Sequence, residues 1–170
     1  LKFLKLKKKY ENLLTIIIPR HIHRVNKIVQ EINDLKLSVV LHSSNPRRLK
    51  NTDIYLVDTY GETKKFYQVS DIVFMGKSLT VKGGQNPLEP TRYNAAVLYG
   101  PHIGKFTDIY KLLDKFKITH KVNGETSLTK LVNKLMIKPN NKKNYLKIKG
   151  IGKKILNETT DEINSLLNNE

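Results

Sequence analysis

Two segments of the sequence carry residue types that bind phosphate and sugar groups. Pro19-Arg20-His21 ends an apolar run, and an arginine there suits phosphate or carboxylate because its guanidinium donates two parallel hydrogen bonds. Gly83-Gly84-Gln85-Asn86-Pro87-Leu88-Glu89 places two glycines before a predicted helix start, whose unpaired amides favour an anion. The carboxylate of Glu89 would repel a phosphate held against it. A ribose, whose hydroxyls can donate to that carboxylate, is the better partner.

Each segment also has a purely structural interpretation. Arg20 could be an exposed arginine at a strand end, and Glu89 could only complement the dipole of its helix. Helix capping explains most of a third segment, Asp58-Thr59-Tyr60-Gly61-Glu62, whose threonine would cap a helix and whose glutamate would lie in its first turn. Capping accounts for Glu89 but not for the two glycines before it, so we favour a ligand site in that loop.

The elements that must position these segments alternate between strands and helices. Apolar and β-branched runs predict strands at Leu13–Ile18, Leu37–Leu41, Asp53–Val57, Asp71–Met75, Val97–Tyr99 and near Ile118–Val122. Leu1–Asn12 is predicted to be the end of a basic amphipathic helix that runs into a loop. Helical spacing predicts further helices at His23–Leu35, after Glu62 to about Gln68, from Leu88 to about Ala96, after Gly104 to about Phe116, from Ser127 to a break near Pro139, and at Glu158–Leu167. This alternation is typical of an α/β fold, a Rossmann-like doubly wound parallel sheet. Ligands of such sheets bind at the carboxyl ends of the strands, where the segments above lie.

Several classes of chemistry find no signature in the sequence. Without cysteine there is no disulfide, no thiolate metal site and no thiol nucleophile. The five histidines show no metal-ligand spacing, and neither a P-loop nor a Gly-x-Gly-x-x-Gly fingerprint occurs. A nucleophile elbow is missing too. We therefore expect no metal and no other cofactor.

The positive charge of the chain is concentrated in two lysine-rich segments. The net charge is +16, and residues 2–9 carry five lysines and residues 138–154 seven, with no acidic residue in either segment. Arginine, the residue that reads nucleic acid bidentately, occurs only five times. A solvated lysine surface or attraction to an anionic membrane therefore explains the charge better than nucleic-acid binding.

Taken in chain order, the loop segments resemble those of the 3-deoxy-D-manno-octulosonic acid (Kdo) transferases. The matching segments are Pro19-Arg20-His21, Asp58–Glu62, Ser70-Asp71 with Gly76-Lys77-Ser78-Leu79, Gly83–Pro90 and Gly100-Pro101-His102. The sequence departs from the family at Gln85, where many members have histidine, and at Ile22, where proline is frequent. The resemblance spans the chain but covers only the carboxyl-terminal half of such an enzyme, so we expect a piece of a longer protein.

The resemblance implies the donor-binding half of a two-domain GT-B glycosyltransferase, with residues 1–170 forming a single domain and the amino-terminal acceptor domain outside this chain. The donor would be CMP-Kdo and the acceptor a lipid A precursor at the cytoplasmic face of the bacterial inner membrane. The donor contacts of the family fall on Pro19, Arg20, Tyr60, Gly61, Glu62, Asn86, Pro87, Leu88 and Glu89. The catalytic base of the family, a glutamate, belongs to the amino-terminal domain, so no catalytic residue is assigned here.

Three alternatives stay open at this point. The chain could belong to another GT-B transferase or a sugar-nucleotide epimerase, which would bind UDP more tightly than CMP. It could be a basic nucleic-acid-binding domain on a Rossmann-like scaffold, whose affinity would fall steeply with salt. It could also be a folded remnant of a split gene that serves no function.

Overall fold

A computed structural model describes residues 6–7, 9–80, 83–138 and 142–167. The chain divides into two compact units, Leu1–Val69 and Ser70–Glu170. The strands are β1 (Thr15–Ile17), β2 (Val39–Leu41), β3 (Ile54–Leu56), β4 (Ile72–Phe74), β5 (Ala96–Tyr99) and β6 (Thr119–Lys121). The helices are α1 (Val25–Asp34), α2 (Thr63–Val69), α3 (Leu88–Thr91), α4 (Thr107–Lys115), α5 (Glu125–Ile137) and α6 (Lys142–Leu167). Short 3-10 turns cover Ile22–Arg24, His42–Ser44 and Gly104–Phe106.

The first unit holds a three-stranded parallel sheet in the order β1-β3-β2. All three residues of the central strand β3 are buried, which explains why that segment reads as a continuous apolar run. On one face, Tyr55 and Val57 pack with Phe66 of α2. The apolar residues that complete this cluster are Leu14, Ile16, Ile18 and Val40.

The second unit holds another three-stranded parallel sheet, in the order β4-β5-β6. Alternate residues of β5 face opposite sides, as the pleat of a strand requires. Val97 and Tyr99 pack with Tyr110 of α4, whereas Ala96 and Leu98 pack with Leu135 of α5. This sheet is therefore covered by helices on both faces, and the predicted α/β fold with parallel strands is confirmed.

All six predicted strands form, but two helix predictions were wrong. The helix predicted from Leu88 to Ala96 ends at Thr91, because Asn94 adopts a left-handed φ of 64° and the chain turns directly into β5. The last helix begins at Lys142 rather than Glu158. Gly150 and Gly152 lie within this helix, and each lowers its stability by about 1 kcal/mol relative to alanine. The surrounding lysine, leucine and isoleucine residues have favourable or moderate helix propensity, and the helix forms across both glycines.

The first lysine-rich segment contains a lysine with a structural role. Lys7 donates to the backbone carbonyls of Leu13 (2.8 Å) and Thr52 (3.3 Å), and its ammonium lies 3.5 Å from the Asp53 carboxylate. Lys7 therefore ties the start of the chain to β3 and does not belong to a freely solvated surface. Residues 2–5 and Lys8 lie outside the described residues.

His120 is a half-buried histidine in β6 whose burial opposes its protonation. It pairs in register with Leu98, on the face that α5 covers, and within the described residues its Nε2 is buried without a hydrogen-bond partner. Burial lowers the pKa of His120 below its ordinary value, although the nearby Asp114 acts in the opposite direction. His120 is therefore neutral at neutral pH.

This burial predicts a loss of stability in mild acid. The pKa of His120 is lower in the folded than in the unfolded chain, so the unfolded chain takes up the proton first as the pH falls below about 6.5. The free energy of unfolding should then decrease between pH 6.5 and 5, and His120→Leu should flatten that decrease. Urea unfolding across this pH range measures the slope. His102→Leu, at an exposed histidine, is the control, and equal slopes in the two variants would contradict the assignment.

Candidate functional site

The parallel register of the first sheet brings three chain segments to one edge. Ile17 of β1 and Leu41 of β2 both align with Leu56 of β3. Pro19-Arg20, the turn that begins at His42, and the segment Asp58–Glu62 all follow these strand ends. The sequence-predicted residues of the first unit are therefore brought to the same edge of the sheet.

Glu62 is the center of a polar cluster at this edge. Its Oε2 accepts a hydrogen bond from the Thr59 hydroxyl (2.8 Å) and contacts Nε2 of His42. Its Oε1 accepts from the Lys65 ammonium at 2.5 Å. These donors hold the pKa of Glu62 at about 2, with Lys65 and then Thr59 contributing most. Glu62 is therefore a carboxylate throughout the physiological pH range.

His42 links this carboxylate to the core of the unit. Its Nδ1 lies 2.6 Å from the hydroxyl of Tyr55, and its ring meets Phe66 edge-on with centroids 5.3 Å apart. Burial, and then the negative charges of Glu62 and Asp58, raise the pKa of Tyr55, so its hydroxyl keeps the proton. The His42 ring is thus fixed by a hydrogen bond and by aromatic packing.

Asp58 is held by Ser43, which follows His42 in the turn after β2. The backbone amide of Ser43 donates to its Oδ1 (2.8 Å), and the Ser43 hydroxyl donates to its Oδ2 (2.5 Å). Burial would raise the pKa of Asp58, but the hydrogen bonds from Ser43 outweigh it, so the pKa is lowered. The turn after β2 is therefore joined to the segment after β3 at two carboxylates.

Other predicted residues of this edge are exposed. Arg20 is exposed, and Tyr60 has 73% of its surface accessible. Gly61 has a φ of 84°, which favours glycine and turns the chain between Tyr60 and Glu62. The helix α2 starts at Thr63, so Thr59 bonds to the Glu62 side chain instead of capping the helix as predicted.

The sequence prediction missed the side chains that surround Glu62. His42, Tyr55 and Lys65 carry no motif, and His42 lies in the turn after β2 whereas Tyr55 lies in β3. The sequence signal that was available is the alternation of side chains along a strand, which places Tyr55 on the same face as Val57. His42 lies beside Glu62 because β2 pairs with β3 in a particular register, and local sequence patterns do not predict that pairing.

In the second unit, Ser78 joins the loops that follow β4 and β5. Ser78 is fully buried, and its hydroxyl donates to the carbonyl of Met75 (2.5 Å) and accepts from the amide of Gly100 (2.8 Å). The Ser78 carbonyl accepts a further bond from the amide of His102 (2.9 Å). The segments Gly76-Lys77-Ser78 and Gly100-Pro101-His102, both selected from the sequence, therefore lie together.

The loop Gly84–Glu89 is held against the turn after β5. Gly84 lies so close to the backbone of Ile103 that an added Cβ would be 2.1 Å from its carbonyl oxygen. The Tyr110 hydroxyl donates to the carbonyl of Gln85 at 3.3 Å. The glycine is therefore required for close packing of two backbones, a structural reason that the sequence prediction did not include.

The first turn of α3 offers fewer free amides than the sequence suggested. Asn86 accepts the amide of Leu88 with its side-chain oxygen at 3.1 Å, and Pro87 and Pro90 have no amide hydrogen. The helix is only four residues long, so its dipole is small. These observations weaken the anion-binding prediction for this turn. They leave the exposed carboxylate of Glu89 as the group most available to a ligand.

In the described part of the chain, no group of three or more histidine, aspartate or glutamate residues could hold a metal ion. Within the same residues, none of the helices is both long and apolar enough to cross a membrane.

Comparisons with known proteins give a consistent result. No protein-family model matches the chain. The chain is 32% identical to the 3-deoxy-D-manno-octulosonic acid transferase of Haemophilus influenzae over 94% of its length. It is 34% identical to the 3-deoxy-D-manno-octulosonic acid transferase of Rickettsia felis over 95% of its length. The chain is therefore related to 3-deoxy-D-manno-octulosonic acid transferases along nearly all of its length.

The relation to the Kdo transferases covers part of those proteins. The chain spans 37% of the Haemophilus influenzae protein and 36% of the Rickettsia felis protein. A solved structure, the C-terminal CMP-Kdo binding domain of WaaA from Acinetobacter baumannii, matches with a TM-score of 0.71 at 24% identity. The match covers 80% of this chain and 69% of that domain, so the chain has the fold of this Kdo transferase domain.

The close backbone contacts of the second unit predict a sharp effect of adding one methyl group. Gly100→Ala would place a Cβ 2.2 Å from the Ser78 carbonyl oxygen, and Gly84→Ala would place one 2.1 Å from that of Ile103. The added methyl group would meet backbone atoms, which cannot move aside as a flexible side chain can. Each substitution should therefore lower the free energy of unfolding by about 1–3 kcal/mol or more. Urea unfolding measures this loss.

Gly76→Ala is the matched control for this experiment. A Cβ at Gly76 would have nothing within 4 Å, and the residue lies in the same group of loops. We expect its unfolding free energy to stay within about 0.5 kcal/mol of the wild type. Equal losses in all three variants would show that the loops are not packed as described.

Proposed function

We propose that this chain is the donor-binding part of a Kdo transferase and that its ligand is CMP-Kdo. The observation that carries the proposal is the relation to 3-deoxy-D-manno-octulosonic acid transferases along 94–95% of the chain. The fold shared with a CMP-Kdo binding domain supports it. So does the position of the predicted ligand segments after the strands of each sheet.

Each predicted contact suits a different part of the nucleotide. The exposed guanidinium of Arg20 would donate to the phosphate through charge-assisted hydrogen bonds. The carboxylate of Glu89 would accept hydrogen bonds from ribose hydroxyls, since an ionised carboxylate only accepts. The assignment of donor contacts to Pro19, Arg20, Tyr60, Gly61, Glu62, Asn86, Pro87, Leu88 and Glu89 stays a prediction.

The reaction proposed for the whole enzyme is glycosyl transfer to a lipid A precursor. A base would remove the proton of an acceptor hydroxyl, the oxygen would attack the anomeric carbon of Kdo, and CMP would depart with its phosphate gaining negative charge. Arg20 would stabilise that charge. The family resemblance assigns the base to the part of the enzyme that this chain does not span, so this chain alone should transfer nothing.

A further part of the proposal is attachment to the cytoplasmic face of the inner membrane through lysine charge. Residues 138–154 carry seven lysines and no acidic residue, and the helix α6 begins within this segment. Lys149 and Lys153 are exposed, while Pro139 and several of the lysine side chains lie outside the described residues. Nucleic acid is not among the proposed partners.

The donor assignment predicts two separable losses of CMP affinity. Arg20→Ala should weaken binding by roughly 1.5–3 kcal/mol because it removes a charge-assisted contact to phosphate. Glu89→Ala should weaken CMP binding too, but its effect should shrink with 2′,3′-dideoxy-CMP, which lacks the hydroxyls that Glu89 would bind. Amide shift mapping during titration of the 170-residue chain measures both affinities and locates the contacts.

Charge-matched controls lie on α1. Lys27→Ala and Glu31→Ala alter exposed residues that belong to none of the predicted contacts, and each should leave CMP affinity unchanged. If CMP shifts no resonance of Pro19-Arg20, Tyr60–Glu62 or Asn86–Glu89, the donor site is wrongly assigned. Tighter binding of UMP than CMP would favour another nucleotide-sugar enzyme, and Kdo transfer by this chain alone would contradict the location of the base.

The membrane proposal predicts a charge effect confined to one segment. Replacing Lys142, Lys143 and Lys147 with glutamine should weaken binding to anionic vesicles by roughly 1 kcal/mol per lysine at low salt and leave CMP affinity unchanged. Replacing three exposed helical lysines elsewhere, Lys27, Lys64 and Lys115, removes the same charge and should have a smaller effect. Vesicle sedimentation measures both, and equal effects would assign the attraction to net charge alone.

A further inference from the structure

Among the described residues, the hydrogen bonds of Glu62 leave one of its acceptor positions open. An ionised carboxylate has about four acceptor positions, two on each oxygen. Thr59 and His42 occupy both positions of Oε2, and Lys65 occupies one position of Oε1. The remaining position is on Oε1, and 22% of the Glu62 side chain is accessible to solvent. The hydrogen bonds of this partly exposed carboxylate therefore leave room for one more donor, such as a hydroxyl or amino hydrogen of a ligand.

The three donors differ in how firmly they hold Glu62. Lys65 is 73% exposed, and a long solvated side chain loses entropy when it is held in one place. His42 is only 27% exposed, and its ring is fixed on its other side by Tyr55 and Phe66. His42 is therefore the donor that connects the carboxylate to the rigid interior of the unit.

The partners of His42 also define its tautomer. Glu62 is ionised and can only accept, so Nε2 of His42 must carry the hydrogen. When the ring carries this single hydrogen, Nδ1 is an acceptor, and the Tyr55 hydroxyl, which retains its proton, donates to it at 2.6 Å. The order of donation in that form is Tyr55 to His42 to Glu62. The hydrogen of the middle bond points at the carboxylate.

We propose that His42 is a positioning residue, held by Tyr55, that orients the Glu62 carboxylate to accept a hydrogen bond from the nucleotide donor. This inference rests on the proposed CMP-Kdo binding and adds to it a residue outside the predicted contacts. His42 acts only through Glu62. The charged and titratable groups around it in the unit are Tyr55, Asp58, Glu62 and Lys65.

A double-mutant cycle on CMP affinity tests this chain of dependence. His42→Phe keeps an aromatic ring against Tyr55 and Phe66 but removes both nitrogens, and it should weaken CMP binding about tenfold, the effect of about one hydrogen bond to a charged group. In the Glu62→Ala background the same substitution should change the affinity less than twofold, because the group through which it acts is gone.

Two further variants separate positioning from mere support of the fold. His42→Gln retains an amide that can donate to Glu62 and should restore most of the affinity lost in His42→Phe. Lys65→Ala removes a donor from the same carboxylate but should change the affinity less than threefold, because that donor is loosely held. In the wild type, nitrogen NMR should detect the hydrogen of His42 on Nε2, and Tyr55→Phe should reduce the population of that tautomer.

The outcomes distinguish this inference from the proposed function. If the wild type binds no CMP, the proposed function fails and this inference fails with it. If the wild type binds CMP but His42→Phe has the same effect with and without Glu62, only the positioning role is overturned. The same holds if His42→Gln is as weak as His42→Phe while both variants unfold like the wild type.

Discussion

The parallel pairing of the strands is the constraint on which the rest of this structure depends. Parallel strands bring their carboxyl ends to one edge, so segments far apart in sequence begin side by side. In the first unit, Ile17 and Leu41 align with Leu56, and the segments that follow them include Arg20, His42 and Glu62. A shift in the register of β2 against β3 would move His42 away from Glu62 and break the contact between them.

The two units hold their loops by different physical means. In the first unit, charged side chains do so, and the low pKa of Glu62 reflects how many donors converge on it. In the second unit, close backbone contacts do so, with Gly84 against Ile103 and Gly100 against the buried Ser78. The first arrangement leaves one acceptor position of Glu62 open among the residues that the structure describes. The second arrangement fixes the backbone next to the Asn86–Glu89 segment, from which the exposed Glu89 carboxylate projects.

The sequence predicted the strands because they depend on local signals, and similar signals mark the loops from which the ligand segments were chosen. Buried parallel strands read as apolar runs, and glycine with proline marks the loops between them. The length of α3 and the partners of Glu62 were not predictable in this way. The first depends on the left-handed turn at Asn94, and the second on the pairing of β2 with β3. Lys7 likewise looked like one of five equivalent lysines, and only the fold reveals its contacts with Leu13, Thr52 and Asp53.

Recognition of a cytidine nucleotide is the function proposed for this chain, and a crystal structure of the 170-residue chain with CMP tests it most directly. We expect the phosphate of the bound nucleotide to lie within hydrogen-bond distance of the Arg20 guanidinium and its ribose hydroxyls to donate to the Glu89 carboxylate. A CMP molecule bound in contact with none of the nine predicted residues would contradict it.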